Sequence, residues 1–375
     1  MMRRGARTGI AALAAAALVG ALLAGCTTTT VRDPAASAPP RPLPTSTDGR
    51  PVDVVTGLRS PWSILQLGGG RILVSERDSG RIVRVDRGEP QPIGTVPGVV
   101  HTGEGGLLGL AYRDGWLYAY TTTASDNRVI RMRLDDPTDG DLSPGTPQVL
   151  LDGLDRAANH DGGRIAFGPD GMLYVTVGDA SDTGNAQDLR SLNGKILRMT
   201  PDGDVPDDNP FPGSYVYSYG HRNPQGLAWD ADGRLWASEF GQNTWDELNR
   251  IVPGQDYGWP VVEGVAHDPR FVDPVVQWPT DEASPSGLAF ADGVFWMAGL
   301  GGQRLWRIAI SAAGHPSSRA LFAGDAGYGR LRDVAPAPGG GLLVLTDNTD
   351  GRGSPRDGDD RLLHVPPGVL TGEVG

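Results

Sequence analysis

The stretch GGRIAFGPDGMLYVTVGDA, residues 162–180, contains two short apolar runs separated by Pro169, Asp170 and Gly171. Proline, aspartate and glycine in succession favour a tight turn, and the β-branched and aromatic residues on either side favour strands. Antiparallel pairing about this turn places residues whose numbers sum to about 340 opposite one another. The stretch therefore predicts a hairpin with residues 159–161 and 178–180 at the same end.

Five other segments repeat this order of strand, Gly- or Asp-Gly turn and second strand, and most continue to a third strand of the type apolar-Arg-apolar. They are residues 60–85, 105–134, 224–241, 285–308 and 330–348. A period of roughly 45 to 60 residues with three or four short strands per unit is typical of a β-propeller. No helical periodicity competes with it. The sequence therefore predicts an all-β fold, a six-bladed β-propeller of antiparallel four-stranded blades.

Polar residues directly precede the first strand of most of these units. They are Glu104, Asn159, His160, Arg222, Asn223, Ser284, Ser286, Arg330 and Arg332. Because the first strand of a propeller blade lines the central channel, we expect these side chains to converge on one mouth of that channel. Convergent polar groups in a concave site favour a small-molecule site over a protein-binding face.

His160 and Asp179 occupy the same end of the predicted hairpin. The register places His160 near Ala180, so the Asp179 carboxylate is expected within reach of the imidazole. A carboxylate fixes the tautomer of a neighbouring imidazole and favours its protonated form, which is the arrangement of a general base with an orienting group. The alternative is a surface histidine and a strand-ending aspartate that merely share a rim.

The segment after the fourth unit carries candidate metal ligands. Gly241 and Gln242 return to the rim that carries Arg222, and Glu247 and Tyr257 follow ten residues apart. Carboxylates mixed with loop carbonyls suit a hard cation such as Ca²⁺. Acidic residues are also common in ordinary loops, and the sequence contains no 12-residue calcium-loop pattern.

The first residues resemble a lipoprotein signal peptide. Three arginines precede an apolar run from about residue 10 to 23, and Leu23-Ala24-Gly25 leads to Cys26. This pattern predicts cleavage after residue 25 and lipidation of Cys26, with an ordinary secretory signal as the alternative. Residues 26–50 are rich in Thr, Pro and Ser and are interpreted as a disordered tether, and residues 51–375 as the propeller domain. The predicted location is extracytoplasmic, with the membrane contacted only through the lipid anchor.

Composition excludes several classes of function. The net charge is −12 and no basic stripe appears, which makes the chain a poor nucleic-acid binder. Cys26 is the only cysteine, so neither a disulfide framework nor thiol chemistry is available in the predicted domain. The 55 glycines and 31 prolines suit many tight turns between short strands.

Several motifs resemble the soluble pyrroloquinoline quinone (PQQ)-dependent glucose/sorbosone dehydrogenases, most closely the aldose sugar dehydrogenase branch. The motifs are NHDGGRIAFGPDG from Asn159, GD at 178–179, GHRNPQGLAWD from Gly220, WDELNRI from Trp245, DYGWP from Asp256 and YGRLRDV from Tyr328. The resemblance extends from Val52 to about Val365. It implies a six-bladed propeller that oxidises an aldose at its anomeric carbon to the lactone, with PQQ and Ca²⁺ as cofactors and an external electron acceptor.

The resemblance also implies residue roles. His160 matches the general base that takes the proton of the anomeric hydroxyl, and Asp179 matches its carboxylate partner. A hydride then passes to PQQ, beside which Arg222 stabilises developing negative charge. The remaining matches are cofactor contacts from Glu104, Asn223, Arg330 and Arg332, a cofactor-bound Ca²⁺ on the carbonyls of Gly241 and Gln242, and a second, structural Ca²⁺ on Glu247 and the carbonyl of Tyr257.

The chain departs from the family pattern at four positions. Family members often carry glutamine at Glu104 and proline at Gln242, and some carry aspartate at Asn159. The glucose enzyme has a lysine that reaches the cofactor from the fifth blade, whereas Gly301 or its neighbour fills that position here. One cationic contact to the cofactor is therefore expected to be missing.

Two other classes of function fit the sequence. One is a non-catalytic propeller that binds a glycan, a cell-wall fragment or a protein, which the missing lysine favours. The other is a Ca²⁺-dependent lactonase, which rests on fold analogy alone.

Overall fold

A computed structural model describes residues 42–46, 49–85, 89–135, 142–324 and 327–371. The predicted signal peptide, the predicted lipidation site at Cys26 and most of the predicted tether lie outside these residues. Within the described part, no helix is both long enough and apolar enough to cross a bilayer.

The described chain forms six antiparallel sheets, which confirms the predicted six-bladed propeller. The first blade contains β2 (Pro61–Leu67), β3 (Arg71–Glu76), β4 (Arg81–Arg84) and β5 (Gln91–Thr95). The second contains β6 (Leu107–Arg113), β7 (Trp116–Thr122), β8 (Asn127–Asp135) and β10 (Gln148–Leu154). The third contains β11 (Ile165–Phe167), β12 (Leu173–Val177), β13 (Lys195–Met199) and β14 (Val216–Tyr219). The two-residue strand β9 (Ser143–Pro144) adds to the edge of β8 in the second blade.

The other three blades follow the same order. The fourth blade contains β15 (Pro224–Trp229), β16 (Leu235–Glu239), β17 (Trp245–Ile251) and β18 (Val276–Pro279). The fifth contains β19 (Pro285–Ala291), β20 (Val294–Gly299), β21 (Arg304–Ile310) and β22 (Pro316–Leu321). The sixth contains β23 (Leu331–Pro336), β24 (Leu342–Thr346), β25 (Leu362–Val365) and β1 (Val52–Val55). The described helices are short: a 3₁₀ turn at Gly68–Gly70, α1 (Gly184–Gln187) and α2 (Pro367–Thr371).

The sixth blade contains strands from both ends of the domain. Strand β1 pairs with β25, with Val52 opposite His364, so the chain enters the ring at the blade with which it ends. Just before β1, His364 Nδ1 donates to the carbonyl of Pro44 at 2.8 Å, and Leu43 packs on the same core. Pairing β1 with β25 completes the sixth blade, so that each of the six blades in the described part of the chain has four main strands.

The hairpin of the third blade has the register that the sequence predicts. Ile165 pairs with Val175 and Phe167 with Leu173, and the numbers of each pair sum to 340. The two ends of the hairpin lie so close together that a side chain at Gly178 would collide with the carbonyl oxygen of His160. Glycine at this position thus allows the His160 loop to lie directly on the end of β12.

Buried charges join the inner strands of different blades. Arg164 Nη1, at the start of the third blade, lies 2.9 Å from Asp333 Oδ2 in the sixth. The same Asp333 oxygen accepts a hydrogen bond from the amide of Ile64 in the first blade at 2.8 Å. Gln225 in the fourth blade accepts from Arg332 Nη1 at 3.1 Å. These contacts fix the inner strands relative to one another below the mouth that carries His160.

Candidate active site

Two adjoining cavities occupy the mouth at which the inner strands begin, with volumes of about 240 and 440 Å³. Both are lined by Glu104, Phe240, Ser284 and Arg352. The outer cavity adds Asn159, His160, Arg222, Asn223, Gly241, Gln242, Asp246 and Thr280, and the inner one adds Trp62, Arg77, Gln225, Leu300, Arg330 and Arg332. The inner cavity is therefore lined by four arginines, and the outer one carries the imidazole.

The His160 imidazole is held by a buried carboxylate. His160 Nδ1 lies 2.7 Å from Asp179 Oδ1, and the Asp179 side chain is 0% exposed. The amide of Ser181 donates to the same oxygen at 2.8 Å, and the indole Nε1 of Trp259 donates to Asp179 Oδ2 at 2.8 Å. Since Nδ1 faces a carboxylate that accepts only, its proton stays on Nδ1 and the lone pair is on Nε2. Nε2 is thus the nitrogen that can accept a proton.

The backbone around this pair adopts an uncommon conformation. His160, Ala180 and Ser181 have φ values of 65°, 55° and 61°, in the left-handed region that residues other than glycine rarely adopt. The amide of Ala180 donates to the carbonyl of His160 at 3.2 Å, which ties the two strained segments together. Such strain concentrates at functional sites, where the surrounding structure holds it in place.

Arg222 lies over the ring of Trp259. Its guanidinium carbon is 5.5 Å from the centre of the indole ring, and its amide is held by a carboxylate oxygen of Glu239. Burial lowers the pKa of Arg222, although Asp179 and other nearby carboxylates oppose the shift and the guanidinium stays charged. Its Nε is buried and has no hydrogen-bond partner among the described residues. Arg222 therefore keeps unused donor capacity while its side chain lines the outer cavity.

Glu104 connects the two cavities. Its Oε2 accepts from the amide of His160 at 3.0 Å and from Asn223 Nδ2 at 3.3 Å, and its Oε1 accepts from Arg352 Nη1 at 3.0 Å. Burial alone would raise the pKa of Glu104, but the bonds from Arg352 and His160 outweigh it and lower that pKa. Asn223 Oδ1 in turn accepts from the amide of Gly162 at 3.0 Å. Glu104 is therefore an anion that orients the entry to the third blade.

Arg330 and Arg332 line the inner cavity, although only Arg330 directly precedes β23 and Arg332 is the second residue of that strand. Arg330 Nη2 lies 2.8 Å from Asp350 Oδ2, and Arg332 Nε lies 2.7 Å from Asp347 Oδ2. The Nε of Arg330 is buried without a hydrogen-bond partner among the described residues. Burial raises the pKa of Asp347 to about 6, although Arg332 opposes the shift.

Two further arginines of this cavity were not predicted from the sequence. Arg77 follows β3 and donates from Nη2 to the carbonyl of Asp350 at 3.3 Å, and Arg352 lies two residues after Asp350. Both are in loops that return to the mouth after the second strand of a blade. Neither arginine directly precedes a first strand, so the pattern that predicted the other mouth residues does not include them. Asp179, at the equivalent position in the third blade, was predicted from the register of its hairpin.

The Gly241 loop lies at the outer cavity in a fixed conformation. The amides of residues 242–245 all donate to Glu263 Oε1, at 2.7 to 3.1 Å. The amide of Gly241 donates to Asp246 Oδ1 at 2.9 Å, and a side chain at Gly241 would collide with the carbonyl of Trp245. Gln242 is exposed. Burial raises the pKa of Asp246, another wall residue of the outer cavity that sequence reasoning did not assign, to about 7.

Glu247 and the Tyr257 side chain lie outside the cleft. Glu247 accepts from the amide of Gly264 at 2.7 Å and from Asn249 Nδ2 at 2.9 Å, and its burial beside Glu239 raises the pKa of Glu247 well above the usual range. The Tyr257 hydroxyl donates to the carbonyl of Arg250 at 2.6 Å. The described residues contain no group of three or more His, Cys, Asp or Glu side chains that could hold a metal. A cation at the Gly241 loop or beside Glu247 would therefore need ligands other than a cluster of such side chains, such as backbone oxygens.

Ser284 occupies the space next to Gly301, the position that corresponds to the fifth-blade lysine of the glucose enzyme. A side chain at Gly301 would collide with the hydroxyl of Ser284, which lines both cavities. Ser284 has a φ of 47° and its amide donates to Asp246 Oδ2 at 2.6 Å. A side chain at position 301 thus requires the Ser284 hydroxyl to move.

Known proteins are similar to this chain in sequence and architecture. The family model described as glucose/sorbosone dehydrogenase matches residues 58–357. Quinoprotein glucose dehydrogenase B of Acinetobacter calcoaceticus is 34% identical over 57% of the chain and 53% of its own length, so the chain aligns with about half of that relative. Aldose sugar dehydrogenase YliI of Escherichia coli is 30% identical over 78% of the chain and 89% of its own length.

A solved structure with the same fold contains the quinone. It is the PQQ-bound form of aldose sugar dehydrogenase from Streptomyces coelicolor, which is 55% identical with a TM-score of 0.78 and covers 83% of this chain and 95% of its own. The apo form of the soluble Escherichia coli aldose sugar dehydrogenase has a TM-score of 0.72 at 27% identity, over 84% of this chain and 98% of its own.

Proposed function

This chain belongs to the glucose/sorbosone dehydrogenase family, and on that premise we propose that it is a PQQ-dependent sugar dehydrogenase that oxidises an aldose at its anomeric carbon to the lactone. The observation that carries the proposal is the His160–Asp179 pair at the edge of an arginine-lined cleft. PQQ, when bound, supplies an electrophilic quinone carbonyl that accepts a hydride from the sugar carbon.

His160 would act as the general base. Because Nδ1–H of His160 donates a hydrogen bond to Asp179, Nε2 is free to take the proton of the anomeric hydroxyl. The sugar thereby loses one proton to the protein and one hydride to the cofactor, which balances a two-electron oxidation. The buried carboxylate of Asp179 stabilises the imidazolium that forms.

The inner cavity fits a cofactor with three carboxylates. Four arginines, Arg77, Arg330, Arg332 and Arg352, surround a volume of about 240 Å³. The planar guanidinium group binds carboxylates through paired hydrogen bonds, which makes arginine suited to this task. The unpartnered Nε of Arg330 is a donor of the kind that a bound carboxylate would engage.

Arg222 and Asn223 would contact the reactive part of the cofactor, from the outer cavity. The free Nε of Arg222 could stabilise negative charge that develops on an oxygen during hydride transfer. Glu104 completes this wall as an anion bonded to both Asn223 and the His160 amide.

We also propose two Ca²⁺ sites. The carbonyls of Gly241 and Gln242 would hold one in the cleft, where it would act as a Lewis acid. Glu247 and the carbonyl of Tyr257 would hold the other. Glu247 is buried beside Glu239, and Asn249 Oδ1 nearby is buried without a hydrogen-bond partner among the described residues. Concentrated negative charge with an unsatisfied oxygen is an environment that a divalent cation would relieve.

We further propose that the enzyme is extracytoplasmic and held to the cell membrane by a lipid on Cys26, and that it passes its electrons to an external acceptor. The support is the arginine-rich start, short apolar run and Leu-Ala-Gly-Cys sequence of residues 3–26.

The decisive experiment is a calorimetric titration of the purified protein with PQQ, with and without Ca²⁺, followed by dye-linked oxidation of a panel of aldoses. We expect Ca²⁺-dependent binding and turnover, with turnover lost in His160→Asn while PQQ still binds. Absence of PQQ binding at high micromolar concentrations would overturn the proposal. Lactone hydrolysis without an electron acceptor would instead indicate a lactonase.

A further inference from the structure

Arg352 is the most exposed and least restrained of the four arginines around the inner cavity. Its side chain is 47% exposed, against 3% for Arg77, 11% for Arg330 and 5% for Arg332. Its guanidinium makes a single hydrogen bond within the described residues, from Nη1 to Glu104 Oε1. The other three arginines are held by buried or multiple contacts.

Glu104 is the fixed partner in this ion pair. Its side chain is only 18% exposed, and its second oxygen is held by the His160 amide and Asn223 Nδ2. The pair spans the mouth, because Glu104 precedes the second blade and Arg352 follows the second strand of the sixth. If the pair opens, the Arg352 side chain moves and Glu104 stays in place.

Asp350 keeps the backbone of Arg352 at the cavity rim. Asp350 Oδ1 accepts from the amide of Arg352 at 2.8 Å, while its Oδ2 lies 2.8 Å from Arg330 Nη2. Its carbonyl also accepts from Arg77. A single buried aspartate thus places three arginines around one cavity, of which only Arg352 has a side chain free to reorient.

We propose that Arg352 is a cofactor-binding residue that Glu104 holds across the mouth until a carboxylate of PQQ takes the place of Glu104. This inference rests on the proposed function. The exchange is favourable because the Arg352 end of the ion pair is half-exposed, so its attraction to Glu104 is screened by solvent, whereas a carboxylate deeper in the cleft would be attracted by several guanidinium groups at once. Arg352 would thereby supply, from the sixth blade, the cationic contact for which Gly301 offers no side chain.

The first test is the Kd of PQQ for Arg352→Gln, measured by calorimetry in the presence of Ca²⁺. We expect binding about tenfold weaker, the size expected for one lost charge-assisted contact. Arg352→Lys, which keeps the charge, should recover part of the affinity. The matched control is Arg190→Gln, which removes an arginine that is 90% exposed, pairs with Asp188 and does not line either cavity; its Kd should equal that of the wild type.

The second test releases Arg352 without removing it. Glu104→Gln keeps an oxygen that can accept from the His160 amide but no longer holds Arg352, so PQQ should bind more tightly than to the wild type. The gain should be smaller in the Arg352→Gln background, because only the loss of a negative charge then remains. An equal gain in both backgrounds would overturn the exchange.

The outcomes separate this inference from the proposed function. If the wild type binds PQQ and Arg352→Gln binds it equally well, the inference fails while the proposed function stands. An equal loss in Arg190→Gln would also overturn it, since the effect would then be general electrostatics. If the wild type binds no PQQ, both fail. Melting temperatures of all variants verify that Kd is compared between folded proteins.

Discussion

Trp259 Nε1 donates to Asp179 Oδ2 at 2.8 Å, on the oxygen opposite the one that faces His160. The same indole ring lies 5.5 Å from the guanidinium carbon of Arg222. Trp259 therefore contacts both the carboxylate that orients the proposed base and the arginine proposed to stabilise the reduced cofactor. It is a positioning residue, since it acts through Asp179 and Arg222.

Replacing Trp259 with Phe tests this role, because phenylalanine keeps an aromatic ring near Arg222 but removes the hydrogen bond to Asp179. We expect kcat to fall roughly tenfold, equivalent to about 1.4 kcal/mol. The Kd of PQQ should change little. The ¹⁵N shifts of the His160 ring should show a smaller fraction of the Nδ1–H tautomer, which a purely structural role would not alter.

The control for this substitution is Trp229→Phe, at the opposite end of the strands beside Gly233. It should leave both kcat and the His160 tautomer unchanged. An unchanged kcat in Trp259→Phe would show that the Ser181 amide alone is sufficient to hold Asp179.

Asp179→Asn separates orientation of the base from cofactor binding. His160 and the Ser181 amide face Oδ1 and the Trp259 indole donates to Oδ2, so the NH2 of asparagine must face either the first pair of donors or the indole N–H. We expect a loss of kcat of about 10³- to 10⁴-fold, as when the orienting aspartate of a catalytic triad is replaced. PQQ binding should persist, because Asp179 lines neither cavity. Loss of PQQ affinity equal to the loss of kcat would contradict the assigned role.

Much of this geometry follows from local sequence. The repeat of strand, turn and strand predicts the blades, and the Pro169–Gly171 turn fixes the register that joins His160 to Asp179. Local hairpins of this kind depend on residues within about twenty positions of each other, so sequence patterns are sufficient to predict them.

Long-range contacts could not be predicted in this way. Trp259 reaches Asp179 across 80 residues, on an excursion between β17 and β18 that has no strand pattern of its own. Arg352 meets Glu104 across 248 residues. Strand β1 completes the sixth blade opposite β25 only because the ring closes there. In each case the partner is set by the tertiary arrangement of the blades.

Asp161 provides a test of pH-dependent stability. Its carboxylate is buried, with one oxygen bonded to Asn127 and the other without a partner among the described residues. Burial raises the pKa of Asp161 to about 6. The folded state therefore holds a proton that the unfolded state, with a pKa of about 3.9, releases, and the free energy of unfolding falls as pH rises between these values.

Asp161→Asn should remove this dependence. The variant carries no charge at this position, so at pH 7 it should be more stable than the wild type by about 3 kcal/mol, with the difference shrinking at pH 4. Urea denaturation at the two pH values measures the effect, with Asp207→Asn at an exposed position as the control. A difference that is the same at pH 4 and pH 7 would show that Asp161 does not titrate in this range.

Gly241→Ala tests the proposed cation site in the cleft. The added methyl group would collide with the carbonyl oxygen of Trp245 and with Glu263 Oε1, so residues 241–245 must shift. We expect a modest loss of stability, about 1–3 kcal/mol, and a much larger loss of Ca²⁺-dependent PQQ binding. Gly213→Ala adds a methyl group in open space, though at a positive φ, and should affect stability only. Unchanged Ca²⁺ dependence in Gly241→Ala would place the cation elsewhere.

Gly301 and Ser284 compete for the same space at the edge of the two cavities. Gly301→Lys alone should fail to improve PQQ binding, because its Cβ would collide with the Ser284 hydroxyl. Ser284→Gly removes that hydroxyl at a position whose φ of 47° glycine adopts readily. The double variant should bind PQQ more tightly than Ser284→Gly alone, by roughly tenfold for one added charge-assisted contact.

The same double variant bears on the role of Arg352. If a lysine introduced at position 301 and Arg352 supply equivalent cationic contacts, the loss of affinity caused by Arg352→Gln should be smaller once that lysine is present, because PQQ has a limited number of carboxylates to engage. Calorimetric Kd values for the four combinations give the coupling directly. Fully additive effects would mean that the two cations bind different groups, and the sixth blade would then add a contact of its own rather than replace the one missing from the fifth.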